Sequence, residues 1–95
     1  MAQPTEQQNA PRPDATAVLD EIRAQTGKEL GLDIEQVTPD TVLKQLPGAD
    51  SVRLLRVVAQ VERIYDVEFD DEDVFRVRTP KELADLVTAQ LAEGA

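Results

Sequence analysis

The 95-residue sequence predicts an all-α protein, a four-helix bundle of three main helices and a short third one, on three observations. Apolar residues recur at i, i+3, i+4 and i+7 spacing in separate stretches, the signature of one buried helical face. Asp, Thr and Pro stand where helix starts need caps. The one alternating run, Asp66-Val67-Glu68-Phe69, lasts two periods, too short for an independent sheet.

Residues 1–13, MAQPTEQQNAPRP, hold three of the six prolines and no large apolar residue beyond Met1. They read as a disordered leader ahead of a domain over 14–92, with a flexible C-terminus at 93–95. The first helix opens at Asp14 or Thr16, either of which can cap it, and buries Val18, Ile22 and Leu30, with Leu19 and Thr26 flanking. Gly31 is its natural stop. Residues 32–50 form a long connection with apolar anchors at Leu32, Ile34, Val37, Val42, Leu43 and Leu46, and two short helical turns fit inside it. Asp33 with Gln36 has the form of a capping box, and Thr38 places a hydroxyl before Pro39 at a first helical position. Pro47 and Gly48 then break the chain, and Asp50 can cap the next helix.

That second helix, about Ser51 to Tyr65, has the clearest pattern. Leu54, Val57, Val58, Val61, Ile64 and Tyr65 make one core-facing stripe. Val52, Leu55 and Ala59 form another apolar row; at 100° per residue Leu55 is nearest the stripe, while Val52 and Ala59 point largely away. Arg53, Arg56, Gln60 and Arg63 run beside that row. Further on, Asp70 to Asp73 open a brief helical turn bearing Val74 and Val77, where acidic residues suit the helix dipole. Thr79-Pro80-Lys81-Glu82 has the form of a capping box, and Leu83, Leu86, Val87 and Leu91 supply the buried face of the last helix.

Composition narrows the function. With no His and no Cys, the chain has no Ser-His or Cys-His nucleophile pair, no zinc or iron-sulfur ligand set and no disulfide. A lone serine with lysines scattered at 28, 44 and 81 offers no base, so the protein is not expected to be an enzyme. Nineteen acidic against ten basic residues leave a net charge of −9, which repels phosphate backbones and anionic lipid surfaces, so neither nucleic acid nor membrane is expected as a partner. The residues after Met1 lack the basic and apolar segments of a secretory signal, and a cytoplasmic, soluble monomer is expected. The acidic run from Asp66 suggests calcium, but a calcium loop there needs Gly at position 71 and Glu at 77, where Asp71 and Val77 stand.

Ser51 occupies the first turn of the best-formed helix, directly after a Gly-containing turn and an acidic cap. Unpaired backbone amides and the positive dipole end favour a phosphate esterified there. Read by itself, Ser51 is an ordinary helix-start serine and Asp50 an ordinary cap. Gly48-Ala49-Asp50-Ser51-Val52, however, resembles the Gly-x-Asp-Ser-Leu attachment motif of acyl carrier proteins. Gly31-Leu32, Thr38-Pro39-Asp40, the run from Tyr65 to Asp73 and Thr79-Pro80-Lys81-Glu82-Leu83 fall in that family's order and spacing, over roughly residues 15 to 92. The resemblance implies that Ser51 receives 4'-phosphopantetheine from coenzyme A, that Asp50 helps position the divalent metal and coenzyme A during loading, and that the arm's thiol holds the cargo as a thioester. It implies as partners a phosphopantetheinyl transferase and the acyl-loading, condensing and tailoring enzymes of a fatty acid, polyketide or other specialised pathway such as antibiotic biosynthesis. In the same family frame Leu54, Val58, Val61, Phe69 and Val74, core residues by default, also line a cavity for the acyl chain.

Two departures from the family pattern bear on partners. Val52 stands in place of the usual Leu, and Pro47 stiffens the approach to the motif. The segment 51–65 carries Arg53, Arg56 and Arg63 against Glu62, a net of +2, where many freestanding carriers are acidic. Val52, Arg53, Leu55, Arg56, Ala59 and Arg63 are therefore the expected docking residues, with Leu55 and Ala59 alternatively extra core against the 32–46 connection. An aminoacyl or peptidyl carrier, and an acidic helical adaptor with Ser51 unmodified, are the competing readings.

Overall fold

The computed structural model describes residues 14–94, and these contain four α-helices and no strand. The expected leader over 1–13 lies outside the described residues. In chain order the helices are α1 (Ala15–Leu30), α2 (Ser51–Tyr65), α3 (Asp71–Arg76) and α4 (Pro80–Gly94). The last helix continues through Gly94, so of the tail expected at 93–95 only Ala95 lies outside the description.

The helix ends match their sequence signals closely. Asp14 accepts from the Ala17 amide at 2.8 Å, and Gly31 closes α1 in the left-handed region at φ 71°. Asp50 accepts from the Arg53 amide at 2.8 Å. Glu82 departs from the expected box. Its amide donates to the Thr79 hydroxyl oxygen at 3.2 Å, but its own carboxylate reaches past Thr79 to accept from the Arg78 amide at 2.7 Å. Asp66 ends α2 in the left-handed region at φ 55°, a conformation that Asp tolerates better than most side chains.

The main core joins Val18 and Ile22 of α1, Val57 and Val61 of α2, Phe69 from the α2–α3 loop, and Leu83, Ala84 and Val87 of α4. α1 packs on both α2 and α4, while α3 contributes only the half-buried Val74. Two expectations shift here. Thr26 is fully buried, its hydroxyl donating to the Ile22 carbonyl at 2.8 Å, and so belongs to the core face of α1. Ile64, assigned to the stripe of α2, is 44% exposed, lying at the stripe's edge in the last turn.

The connection 31–50 builds a second small core from Val37, Leu43 and Leu46, flanked by Leu30, Leu32, Ala49, Leu54 and Val77. Of the anchors expected there, Ile34 is instead 41% exposed. Two 3-10 turns sit in the connection, at Ile34–Gln36 and Leu43–Gln45. Gln36 accepts from the Asp33 amide at 3.1 Å, as its box predicts. The second turn is displaced from Thr38-Pro39, where a turn joins Thr38 to Thr41 through hydroxyl and amide bonds and no helix forms. Arg23 of α1 fastens this connection: its guanidinium donates to the carbonyls of Val37 and Ile34. At the base, Gly27 permits close approach of the returning chain. Its carbonyl accepts from the Leu32 amide at 2.8 Å, and a Cβ at Gly27 would stand 2.7 Å from the Leu32 carbonyl oxygen. Pro39 is tied to α4 by its carbonyl, which accepts from the Lys81 amide at 3.1 Å.

Candidate functional site

The chain reaches Ser51 through a tight turn. The Leu46 carbonyl accepts from the Ala49 amide at 3.1 Å across Pro47 and Gly48, with Gly48 at φ 79°. Proline first and a positive-φ glycine second are the requirements of a type II turn. Leu46 is buried in the small core beneath, so the turn is anchored at its start. At its far end Asp50 adopts extended backbone and α2 begins with Ser51. Asp50 satisfies the Arg53 amide with one carboxylate oxygen, and its carbonyl accepts from the Leu54 amide at 3.0 Å. Ser51 itself is exposed, with the open amides of a helix N-terminus around it. It is the only serine in the sequence.

Beside Ser51 opens a cleft of about 580 Å³, within the size range of small-molecule sites. Ser51, Leu54, Leu55 and Val58 of α2 form one wall, α3 with the segment after it the other, and the 3-10 turn at 43–45 closes an edge. Leu54, Val58 and Val74, expected as cavity residues, do line this cleft; Val61 and Phe69 do not, being buried in the main core instead.

The row Val52, Leu55 and Ala59 is exposed throughout, Val52 at 60% and Leu55 at 54%, so these residues are not extra core against the connection. The arginines beside it are exposed but oriented. Arg53 donates to the Glu29 carbonyl at 3.1 Å, one of the last carbonyls of α1, and Arg56 pairs with the Glu29 carboxylate at 3.4 Å. A cation at a helix C-terminus is electrostatically favoured. Arg63, further along, donates to Gln60 at 2.7 Å. Phe75 was not foreseen from the sequence. Standing on a short helix between acidic and basic residues, it is 81% exposed at the cleft wall, where an aromatic side chain by default suggests core.

Comparison with known proteins agrees with this geometry. The family described as phosphopantetheine attachment site matches residues 20–87, most of the chain. An acyl carrier protein of Syntrophobacter fumaroxidans is 33% identical over 83% of this chain and 98% of its own length. The chain belongs to the acyl carrier protein family. A second such protein, from Rubrobacter xylanophilus, is 30% identical over 78% of this chain and 91% of its own. Among solved structures, an acyl carrier protein from Enterococcus faecalis superposes with a TM-score of 0.68 at 22% identity, covering 82% of this chain and 99% of that one. The HMG-ACPI domain of the CurA module from Lyngbya majuscula gives 0.75 at 14% identity, covering 100% and 92%. At those identities the two structures speak to the fold only. Acyl carrier proteins carry cargo and do not catalyse; their cofactor is 4'-phosphopantetheine, and they work with a phosphopantetheinyl transferase and with biosynthetic enzymes. No helix among the described residues is long and apolar enough to cross a membrane.

Proposed function

We propose that this acyl carrier protein bears its phosphopantetheine arm on Ser51 and presents arm and cargo to partners across the exposed face of α2. The observation that carries this reading is the placing of Ser51: the sole serine of a chain in the phosphopantetheine attachment family, exposed at a capped helix N-terminus and bordering an apolar cleft. The site fits such a group. A phosphodiester on the Ser51 hydroxyl meets the positive end of α2 and free first-turn amides. Bound there, the arm contributes a thiol that the chain lacks, and with it the capacity to hold an acyl group as a thioester. Asp50 holds the turn in place and keeps one carboxylate oxygen free for the loading step. Leu54, Val58 and Val74 offer an acyl chain shelter from water.

Docking falls to Val52, Leu55 and Ala59 as apolar contacts and to Arg53, Arg56 and Arg63 as charge. Because Arg53 and Arg56 are steadied by Glu29, they present a partly preorganised cationic edge. Its complement is an acidic or neutral patch on enzymes of a specialised pathway. Tethering then supplies high effective concentration at each partner, and modest docking lets the carrier leave. Incubating the apo protein with coenzyme A and a broad-specificity phosphopantetheinyl transferase tests the assignment. The intact mass rises by one phosphopantetheine in the wild type and stays unchanged in Ser51→Ala; a gain of equal size in Ser51→Ala would refute it.

A further inference from the structure

The charge lining the cleft is opposite to that of the protein. Its charged lining residues are Lys44, Arg76 and Arg78, and no Asp or Glu joins them, in a chain of net charge −9. Arg76 is shared with Asp73, at 3.9 Å. Lys44 and Arg78 form no ion pair among the described residues. They are also brought together by the backbone. The Leu43 amide donates to the Arg78 carbonyl at 2.8 Å, joining the 3-10 turn that carries Lys44 to the segment leading into α4. Two cations without an ion pair among the described residues, lining one apolar cleft from segments joined at Leu43 and Arg78, match an occupant that is apolar along its length and anionic at one end.

We infer that the cleft selects acyl cargo ending in a free carboxylate, with the methylenes on Leu54, Val58 and Val74 and the carboxylate on Lys44 and Arg78. This rests on the arm being attached at Ser51. The arm's own phosphodiester is another anion, but it is fixed at the N-terminus of α2, where first-turn amides already serve it. Lys44 and Arg78 stand on two other elements, the 3-10 turn and the segment before α4. An exposed charge pair is worth up to about 1 kcal/mol, so the selectivity amounts to about threefold to fivefold.

The test loads the apo protein from hexanoyl-coenzyme A and from adipoyl-coenzyme A, whose chain differs in ending on a carboxylate. Thioester cleavage by neutral hydroxylamine is tracked by intact mass, each rate being divided by that of the corresponding free coenzyme A thioester. The adipoyl carrier should be protected about threefold to fivefold more than the hexanoyl carrier. Lys44→Gln and Arg78→Gln should remove the excess and leave hexanoyl protection unchanged, while Arg78→Lys retains most of it. Equal protection of both cargoes in the wild type would overturn the inference. So would an equal loss for both cargoes in the glutamine variants, which would assign the cations to the phosphodiester. Failure of both thioesters to load, with no mass gain, would instead strike at Ser51 as the attachment point and take this inference with it.

Discussion

Gly48 shows how one residue's backbone determines where Ser51 stands. Its φ of 79° suits glycine, and nothing lies within 4 Å of where a Cβ would be, so conformation and not space constrains the position. Gly48→Ala should cost about 1–2 kcal/mol, lowering the thermal midpoint by about 4–8 °C per kcal/mol. Gly48→Asn should recover part of that loss, since Asn enters the left-handed region more easily. A midpoint for Gly48→Ala equal to wild type would show that the turn relaxes. Tyr65 gives a residue-scale dependence on pH. Burial first, and then the negative charge of Glu21, hold its hydroxyl protonated above the usual tyrosine range. The unfolded chain thus loses that proton before the folded chain does. The stability that Tyr65 contributes is complete below about pH 10 and fades as pH rises through the higher folded value. Thermal unfolding between about pH 9 and pH 11 should fall less steeply for Tyr65→Phe than for wild type; parallel curves would count against it.

Among the elements, the helices were legible and the connection only in part, its anchors Val37, Leu43 and Leu46 and its Asp33–Gln36 box being read correctly. α2 begins and ends where its cap and stripe predict, because Asp50, the apolar spacing of Val57 and Val61 and the left-handed stop at Asp66 all lie within one segment. The turn expected at Thr38-Pro39 forms instead at Leu43–Gln45, since burial of Leu43 and its bond to Arg78 decide the matter, and both are tertiary. Arg23 and Glu62 were likewise hidden in the sequence, where Arg23 carried no local signal and Glu62 counted only as a partial offset to the arginines. In the fold Arg23 holds the carbonyls of Ile34 and Val37, and Glu62 accepts from the Phe69 amide at 2.9 Å, setting the loop that inserts Phe69 into the core. Arg23→Ala leaves two carbonyls without their charged donor and should cost about 1–3 kcal/mol. Arg23→Lys should restore little, because an ammonium cannot span both acceptors as the fork does. Hydrogen exchange of the Val37 amide, expected to quicken more than exchange in the α1–α4 core, separates this local loosening from general destabilisation.

For the molecule as a whole, the uneven distribution of charge matters more than its total. Six acidic residues lie between Asp66 and Asp73, while the segment from Ser51 to Tyr65 is net positive. The candidate site was readable as far as Ser51, Asp50 and the exposed row on α2, all encoded within one helix and its cap. The cleft wall was only partly readable. Val74 was foreseen, but Phe75 and the meeting of Lys44 and Arg78 on one cleft depend on how α3 and the connection meet α2, which no local pattern records. If the arginines of α2 set partner choice, Arg53→Glu with Arg56→Glu should slow acyl transfer to the protein's own pathway enzyme about tenfold or more, chiefly through association and more strongly at low salt. Transfer at the wild-type rate would mean that docking uses another face. Everything proposed about the cargo and partners depends on where the arm is attached. The most direct measurement is fragmentation mass spectrometry of the tryptic peptide spanning residues 45–53 after loading with coenzyme A. The added phosphopantetheine should map to Ser51; recovery of that peptide only at its unmodified mass, from protein whose intact mass had risen, would contradict the assignment.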